Sequence, residues 1–480
     1  MPRSTIHLAG DVQTQPAARQ SGEPDPFRIA VFGDFAGGES SGDPVLIDRD
    51  NFDEVMARLG PTVQVGDSPL VFSSLDDFHP DSLLRRLPLF DRLKALRRRL
   101  ADPRSFAAAA AELGIAPLSD RPTPSAAAPK RAPVNLLDQM LVGLPDPVVQ
   151  PETPPDEFQQ VIDRIVAPYK VERADPRQDE LVRRADQAIA ETMRAILHAP
   201  ALQAIESAWR SLYFLVRRLE TGPDLKVYLF DVSKQRLAGD LNGAQDLRDT
   251  KFYRQVMAAP RGGTWAVLAG SYWFDNSPDD VELLARIAMI AQQAGAPFLT
   301  AAVPSVVGCT EMSGMPDPRD WQTDPDGEQF WASLRELPEA TYLGVLTPGF
   351  LLRLPYGEHG LAVEDFRFEE LDGGQRHQSY LWGNPAFAAA CLLGQSFSAE
   401  GWAMRPGSRR EFSGMPVPIV RIDGEPEMQP CVEAWLTDRA AAAIVEQGIM
   451  PLVASRDSDH MLLVRFQSVA NPPAALAGRW

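Results

Sequence analysis

The residues able to do chemistry are few and scattered. Six histidines, His7, His79, His198, His359, His377 and His460, fall in no recognised metal-ligand or acid–base spacing. Three cysteines, Cys309, Cys391 and Cys431, stand far apart in apolar or small-residue settings (VVGCTE, AAACLLG, QPCVEAW) and read as buried structural thiols. No nucleophile elbow, HExxH or triad spacing occurs, so no catalytic residue, metal ligand or cofactor is expected. The acidic segment with Glu364, Asp365, Glu369, Glu370 and Asp372 reads as a solvated or interface patch rather than a carboxylate pair. A glycine-rich turn, GDFAGGESSG, follows the apolar run FRIAVF, which is where a phosphate loop would sit. No Gly-Lys-Ser/Thr or GxGxxG accompanies it, and Asp34 would repel a phosphate. Arg353 is different. A guanidinium among the leucines of LLRLPYG must pair with a carboxylate or with backbone carbonyls, a structural use.

Composition narrows the classes further. A length of 480 residues allows several domains and a large core. The net charge of −18 repels duplex nucleic acid and anionic membranes over most of the surface. No stretch reaches about 18 consecutive apolar residues and the amino end shows no signal-peptide core, so membrane insertion is not expected and the cytoplasm is the expected location.

The elements around these residues read as a mixed α/β (α+β) protein with a central mixed sheet and long amphipathic helices. Residues 175–240 are the clearest stretch: helix, proline break, second helix, strand. In the second helix Ile205, Trp209, Leu212, Val216 and Leu219 recur at spacings of four, three, four and three, a continuous apolar stripe. Gly222-Pro223 stops it, and residues 225–232 switch to a strand pattern. In the first helix Asp175 is placed as cap and Gln178 for a capping box. Earlier, residues 27–32 read as a buried strand, 50–59 as a short helix, and 83–96 as one helical region. Later, residues 264–270, 279–293 and 298–303 make a strand–helix–strand unit. Residues 106–133 turn to alanine, proline and serine, a linker composition. Just beyond it lies an apolar island, VNLLDQML, at residues 134–141, too short to be stable alone.

Several long motifs stand in one order: ILHAPALQAIESAWRSLYFLV, LKVYLFDVSKQRLAGDL, SPDDVELLARIAMIAQQAGAPFLTAA, LTPGFLLRLPYG, YLWGNPAFA and EGWAMRPG. Over residues 134–465 they resemble the large contractile-sheath subunit of the type VI secretion system, TssC (VipB). Residues 4–100, with PFRIAVFGDFAGG, IDRDNFDEVMARLGP and FSSLDDFHPDSLLRRLPLFDRLKALRRRL, resemble the small subunit, TssB (VipA). The chain thus looks like a natural fusion. Its expected parts are a small-subunit-like domain (1–105), the linker (106–133) and a large-subunit-like domain (134–480) without the family's usual carboxyl-terminal extension.

The resemblance implies a cytoplasmic, non-enzymatic sheath component. Its implied partners are other sheath subunits, an Hcp-type tube, a ClpV-type AAA+ ATPase and baseplate proteins, with no nucleic acid. It places Leu136, Leu137, Met140 and Leu141 at the ATPase contact and Thr5, Ile6, His7 and Leu8 in an exchangeable strand arm. Trp209, Arg353, Tyr356 and Trp382 fall in its structural motifs. The shortened end leaves open an accessory, cap or assembly-regulating protein unable to propagate the lattice; an α/β enzyme is a weaker third reading.

Overall fold

The computed structural model describes residues 25–38, 43–66, 68–115, 175, 177–322, 324–371, 379–422 and 425–480. The chain divides into two compact units, residues 1–87 with 190–480, and residues 88–189.

The larger unit is built on strands in the order of the chain. These are β1 (Phe27–Gly33), β2 (Val45–Ile47), β3 (Thr62–Val65), β4 (Ser68–Val71), β5 (Leu225–Asp231), β6 (Val267–Phe274), β7 (Phe298–Ala302) and β8 (Leu343–Thr347). Seven more follow: β9 (Phe350–Leu351), β10 (Trp382–Gly383), β11 (Glu411–Phe412), β12 (Ile419–Ile422), β13 (Glu425–Met428), β14 (Ile449–Ala454) and β15 (Met461–Leu463). Nine of them form one sheet in the order β11-β15-β14-β8-β7-β6-β1-β5-β2.

The position of β1 follows from its composition. FRIAVFG is apolar along its whole length, and all seven residues are buried. Such a run suits a strand covered on both faces, in a parallel sheet. It pairs in parallel with β5, from Phe27 opposite Leu225 to Gly33 opposite Asp231, and in parallel with β6 on its other side, Ile29 opposite Val267. The parallel run extends through β7, β8 and β14. Both ends are closed by short antiparallel strands, β2 on β5, and β15 and β11 beyond β14. Short edges offer little unpaired backbone to other chains.

In the same unit the helices are α1 (Phe52–Leu59) and α2 (Pro80–Arg86) from the first part of the chain. The smaller unit holds α3 (Leu89–Ala101) and α4 (Pro103–Glu112). A continuous α5 (Gln178–Leu197) precedes α6 (Pro200–Arg218). After it come α7 (Lys234–Leu241), α8 (Lys251–Met257), α9 (Pro278–Ala294), α10 (Pro325–Arg335), α11 (Ala386–Glu400) and α12 (Asp438–Glu446).

The strand–helix–strand expectation is met by β6, α9 and β7, with β6 and β7 parallel. Ser277 caps α9, Asp279 and Asp280 stand in its first turn, and Gly295 ends it with φ at 64°. A left-handed residue at this place suits glycine, which carries no Cβ penalty. The first strand of that unit starts and ends later than its sequence suggests, running to Phe274, because its register is set by pairing with β1 and β7 and shifts between Ala269 and Trp273. A core of Phe32, Phe230, Trp265, Ile287, Phe298 and Trp331, among others, fills one side of the sheet. On α11 both faces are buried from Ala386 to Leu393, as expected of a helix apolar all round.

The helical region expected over 83–96 is two helices. Pro88 lacks the N–H a continuing helix needs, and α2 ends at Arg86. Within the smaller unit Leu100, Phe106, Ala109, Ala110, Leu181 and Ala185 form a compact cluster. Asp102 caps α4 by accepting from the Arg104 N–H at 3.1 Å. The Gln178 side chain does not close a capping box. Its Nε2 donates to the carbonyls of Leu100 and Ala101 at 3.0 and 2.9 Å, groups that the end of α3 leaves unpaired.

Candidate functional site

One turn of α6, residues 206–210, reaches three other segments of the larger unit. Trp209 is fully buried on the apolar stripe. Its indole N–H donates to the Phe35 carbonyl at 2.8 Å, and the rings of Phe35 and Phe52 meet it edge-on with centroids 5.5 and 5.6 Å away. Phe35 follows β1 and Phe52 opens α1, so the indole fastens α6 to the first part of the chain.

The glycine-rich turn after β1 has its amides engaged by the protein's own acids. Asp231, at the end of β5, accepts from the N–H groups of Phe35 and Ala36 at 2.7 and 3.1 Å, and Asp34 accepts from Gly37 N–H at 2.9 Å. A phosphate would have to displace two carboxylates there.

Three residues before Trp209, Glu206 is fully buried and meets Arg353, which follows β9. Arg353 Nε donates to Glu206 Oε1 at 2.8 Å, and its Nη1 and Nη2 donate to Glu370 Oε2 and Oε1 at 2.8 and 3.0 Å. Arg210 Nε donates to the same Glu206 oxygen at 2.7 Å and its Nη2 to the Tyr356 hydroxyl at 3.3 Å. Tyr356 N–H donates to Glu370 at 2.7 Å, and the Arg353 guanidinium lies 4.1 Å from the centroid of the Tyr356 ring. The edge of the His79 ring faces the same tyrosine at 4.9 Å, and His198 Nε2 stands 3.8 Å from Glu370. Two guanidinium groups balance two carboxylates, the condition under which charges can be buried.

Burial alone would raise the Glu370 pKa. Arg353 and the hydrogen bonds outweigh it and hold the carboxyl at about 2. Burial dominates for the Tyr356 phenol, which is pushed up to about 12. Arg353 loses solvation too, yet its two acids raise it well above the ordinary arginine value.

The third reach is to β10. Ser207 Oγ donates to the Trp382 carbonyl at 2.6 Å, and the Trp382 ring lies 5.5 Å from that of Tyr380. Gly383, next in the strand, admits no side chain: a Cβ there would stand 2.7 Å from Leu352.

Trp209, Arg353, Tyr356 and Trp382 therefore converge around one turn of α6. The residues of the island, Leu136, Leu137, Met140 and Leu141, and of the arm, Thr5, Ile6, His7 and Leu8, lie outside the described residues. Reading Glu364, Asp365, Glu369, Glu370 and Asp372 as a solvated or interface patch needs correcting at Glu370, which is 1% exposed because Arg353 draws it inward; Glu364, Asp365 and Glu369 are exposed, and Asp372 lies outside the described residues. Sequence reasoning missed Glu206, Glu370 and Asp231. Two signals were available: Arg353 among leucines, which calls for a carboxylate, and Glu206 itself, an acid set between Ile205 and Trp209 on the apolar side of α6.

The three cysteines are buried with free thiols. Burial pushes Cys391 up to about 12 and Cys431 up to about 11, far from the range of a thiolate nucleophile. Among the described residues no group of three or more His, Cys, Asp or Glu converges as a metal would require, and no helix is long and apolar enough to cross a membrane.

Residues 179–470 match the family model for VipB, described as EvpB/VC_A0108, tail sheath N-terminal domain. The chain belongs to this sheath family. Residues 1–113 match a second model, described as Type VI secretion system, VipA, VC_A0107 or Hcp2, so small- and large-subunit sequences stand in one chain. A type VI secretion system sheath protein, TssC1 of Pseudomonas aeruginosa, is 34% identical over 307 residues, covering 61% of this chain. The chain covers 61% of that protein's own length. In the light of the two family matches, β1 is a small-subunit strand set between the large-subunit strands β5 and β6.

Proposed function

We propose that the protein is a structural subunit of a type VI secretion sheath, working in the cytoplasm through protein–protein contacts and without a catalytic step. The observation that carries this reading is β1, a VipA-matching strand that completes a sheet of VipB-matching strands. A sequence that builds the paired fold within one molecule supplies both parts of a sheath unit. The buried charged groups support the same reading, because they satisfy one another and hold segments together.

The functional parts divide as residues 1–105, 106–133 and 134–480, with the start of the second part, α4 as far as Glu112, packed within the smaller unit. Other sheath subunits are the first partners, and an Hcp-type tube is the core around which they assemble, with baseplate proteins at one end. A ClpV-type ATPase engages Leu136, Leu137, Met140 and Leu141, and the arm at Thr5, Ile6, His7 and Leu8 adds a strand to a neighbouring subunit. Trp209, Arg353, Tyr356 and Trp382 serve the scaffold.

Electron microscopy of the purified protein, alone and with an Hcp-type tube, tests this. Ridged tubes are the expected result, and discrete particles under every condition overturn it. Deleting residues 134–141 is expected to abolish ATPase binding, and unchanged binding sinks that assignment.

A further inference from the structure

Two cavities of the larger unit share a wall. One, of about 300 Å³, is lined by Tyr356, His359, Glu369 and Ile419 among others. The second, of about 500 Å³, is lined by Pro316, Trp382, Pro430, Glu433 and Trp435 among others. Tyr380 and Val420 line both, so the two adjoin across these side chains and are taken together as one trough. Its rim holds Ile419, at 54% the most exposed large apolar side chain among the described residues. Acids stand along it: Glu369 and Glu433 in the lining, and exposed Glu427 opposite Val420 across the β12–β13 pair. The Arg456 guanidinium stands 5.9 Å from the Trp435 ring centroid and covers one face of that indole.

Aromatic rings and prolines in a groove with an acidic rim are the chemistry that receives a proline-rich basic peptide. The rings pack on pyrrolidines, and the acids fix the cations. The chain carries such a peptide in residues 121–133, RPTPSAAAPKRAP, outside the described residues. It holds Arg121, Lys130 and Arg131 and no acid, against a net charge of −18 for the whole chain. At three residues per turn of a polyproline II helix, Arg121, Pro124, Ala127, Lys130 and Pro133 fall along one edge. A segment bound in that form would present cations and prolines together.

We propose that the trough binds residues 121–133 of a second copy of the chain, with prolines against Tyr380, Trp382 and Trp435 and the basic side chains toward Glu427 and Glu433. The proposal rests on the sheath reading only for the source of that second copy. The groove is tested on dispersed protein, so failure to build tubes leaves the result readable.

The probe is a fluorescent synthetic peptide of residues 121–133, titrated by anisotropy into the full-length chain. A second full-length chain with Pro122, Pro124, Pro129 and Pro133 changed to alanine removes self-competition. Saturable binding is expected, tighter to the second chain. Trp435→Ala in that chain should weaken it about tenfold. Glu427→Lys, at an exposed strand position that leaves the fold alone, should weaken it about threefold and flatten its salt dependence. Unchanged melting of each variant checks the fold. No saturable binding, or binding indifferent to both Trp435→Ala and Glu427→Lys, overturns the proposal. So does a dimer without peptide affinity that Trp435→Ala dissolves, because the trough would then be a face-to-face contact.

Discussion

Two neighbouring positions in one turn of α6 hold the fold by opposite means. At Trp209 the joint is aromatic, with two edge-on rings and a single hydrogen bond to Phe35. At Glu206, one turn away, it is ionic, with Arg353 bridging two buried carboxylates. An apolar joint loses stability in proportion to what is removed and is indifferent to pH and salt. An ionic joint adds little over a well-packed apolar one, but losing one partner strands the others as buried charges. The ionic side is therefore the joint less tolerant of losing a member, since Arg353, Arg210, Glu206 and Glu370 satisfy one another.

The largest expected effect breaks the ionic joint outright. Arg353→Ala leaves Glu206 and Glu370 without their shared partner and should cost about 3–5 kcal/mol in denaturant unfolding. Adding Glu370→Gln to that variant should recover part of the loss, whereas independent, additive losses would mean the charges are not coupled.

Acid should separate the two joints next. The Glu370 carboxyl is held at about 2 in the fold, below its ordinary 4.5, so its contribution is complete above pH 4.5 and is lost as pH falls through 2. This amounts to roughly 3 kcal/mol over that window. Urea midpoints of wild type should fall more steeply between pH 4.5 and 2 than those of Glu370→Gln. Parallel curves would show that the carboxylate contributes nothing.

Trp209→Phe tests the aromatic side more gently. It leaves the buried Phe35 carbonyl without its donor and opens a small cavity, for a loss of about 2 kcal/mol that should be the same at pH 5 and pH 8. Smallest is Arg210→Ala. Its side chain is 17% exposed and backs Glu206 and the Tyr356 hydroxyl, while Arg353 still pairs with Glu206, so about 1 kcal/mol is expected, shrinking at high salt. A loss as large as that of Arg353→Ala would make Arg210 an equal member of the joint.

Much of this frame was legible in the sequence. The stripe of α6 showed its period, β1 its apolar length, and β6, α9 and β7 their alternation. Less legible was which strand lies beside which. β1 and β5 are neighbours across a separation that no local period records, and the true limits of β6 follow from that pairing. Arg353 announced a need for carboxylates by standing among leucines. It could not name them, because Glu370 sits in a run of exposed acids and Glu206 comes from a helix far earlier in the chain. Pattern reading sees one element at a time, and the joints lie between elements.

The place of β1 also sets a clock for synthesis. Its two neighbouring strands lie roughly 200 and 240 positions downstream. At roughly 5–20 residues per second, the first strand leaves the ribosome on the order of 10–50 s before the last strand it needs. Through that interval an apolar ribbon has no sheet to enter. A fused chain thus places on its own nascent amino end the demand for shielding by chaperones that two separate subunits would meet by finding each other.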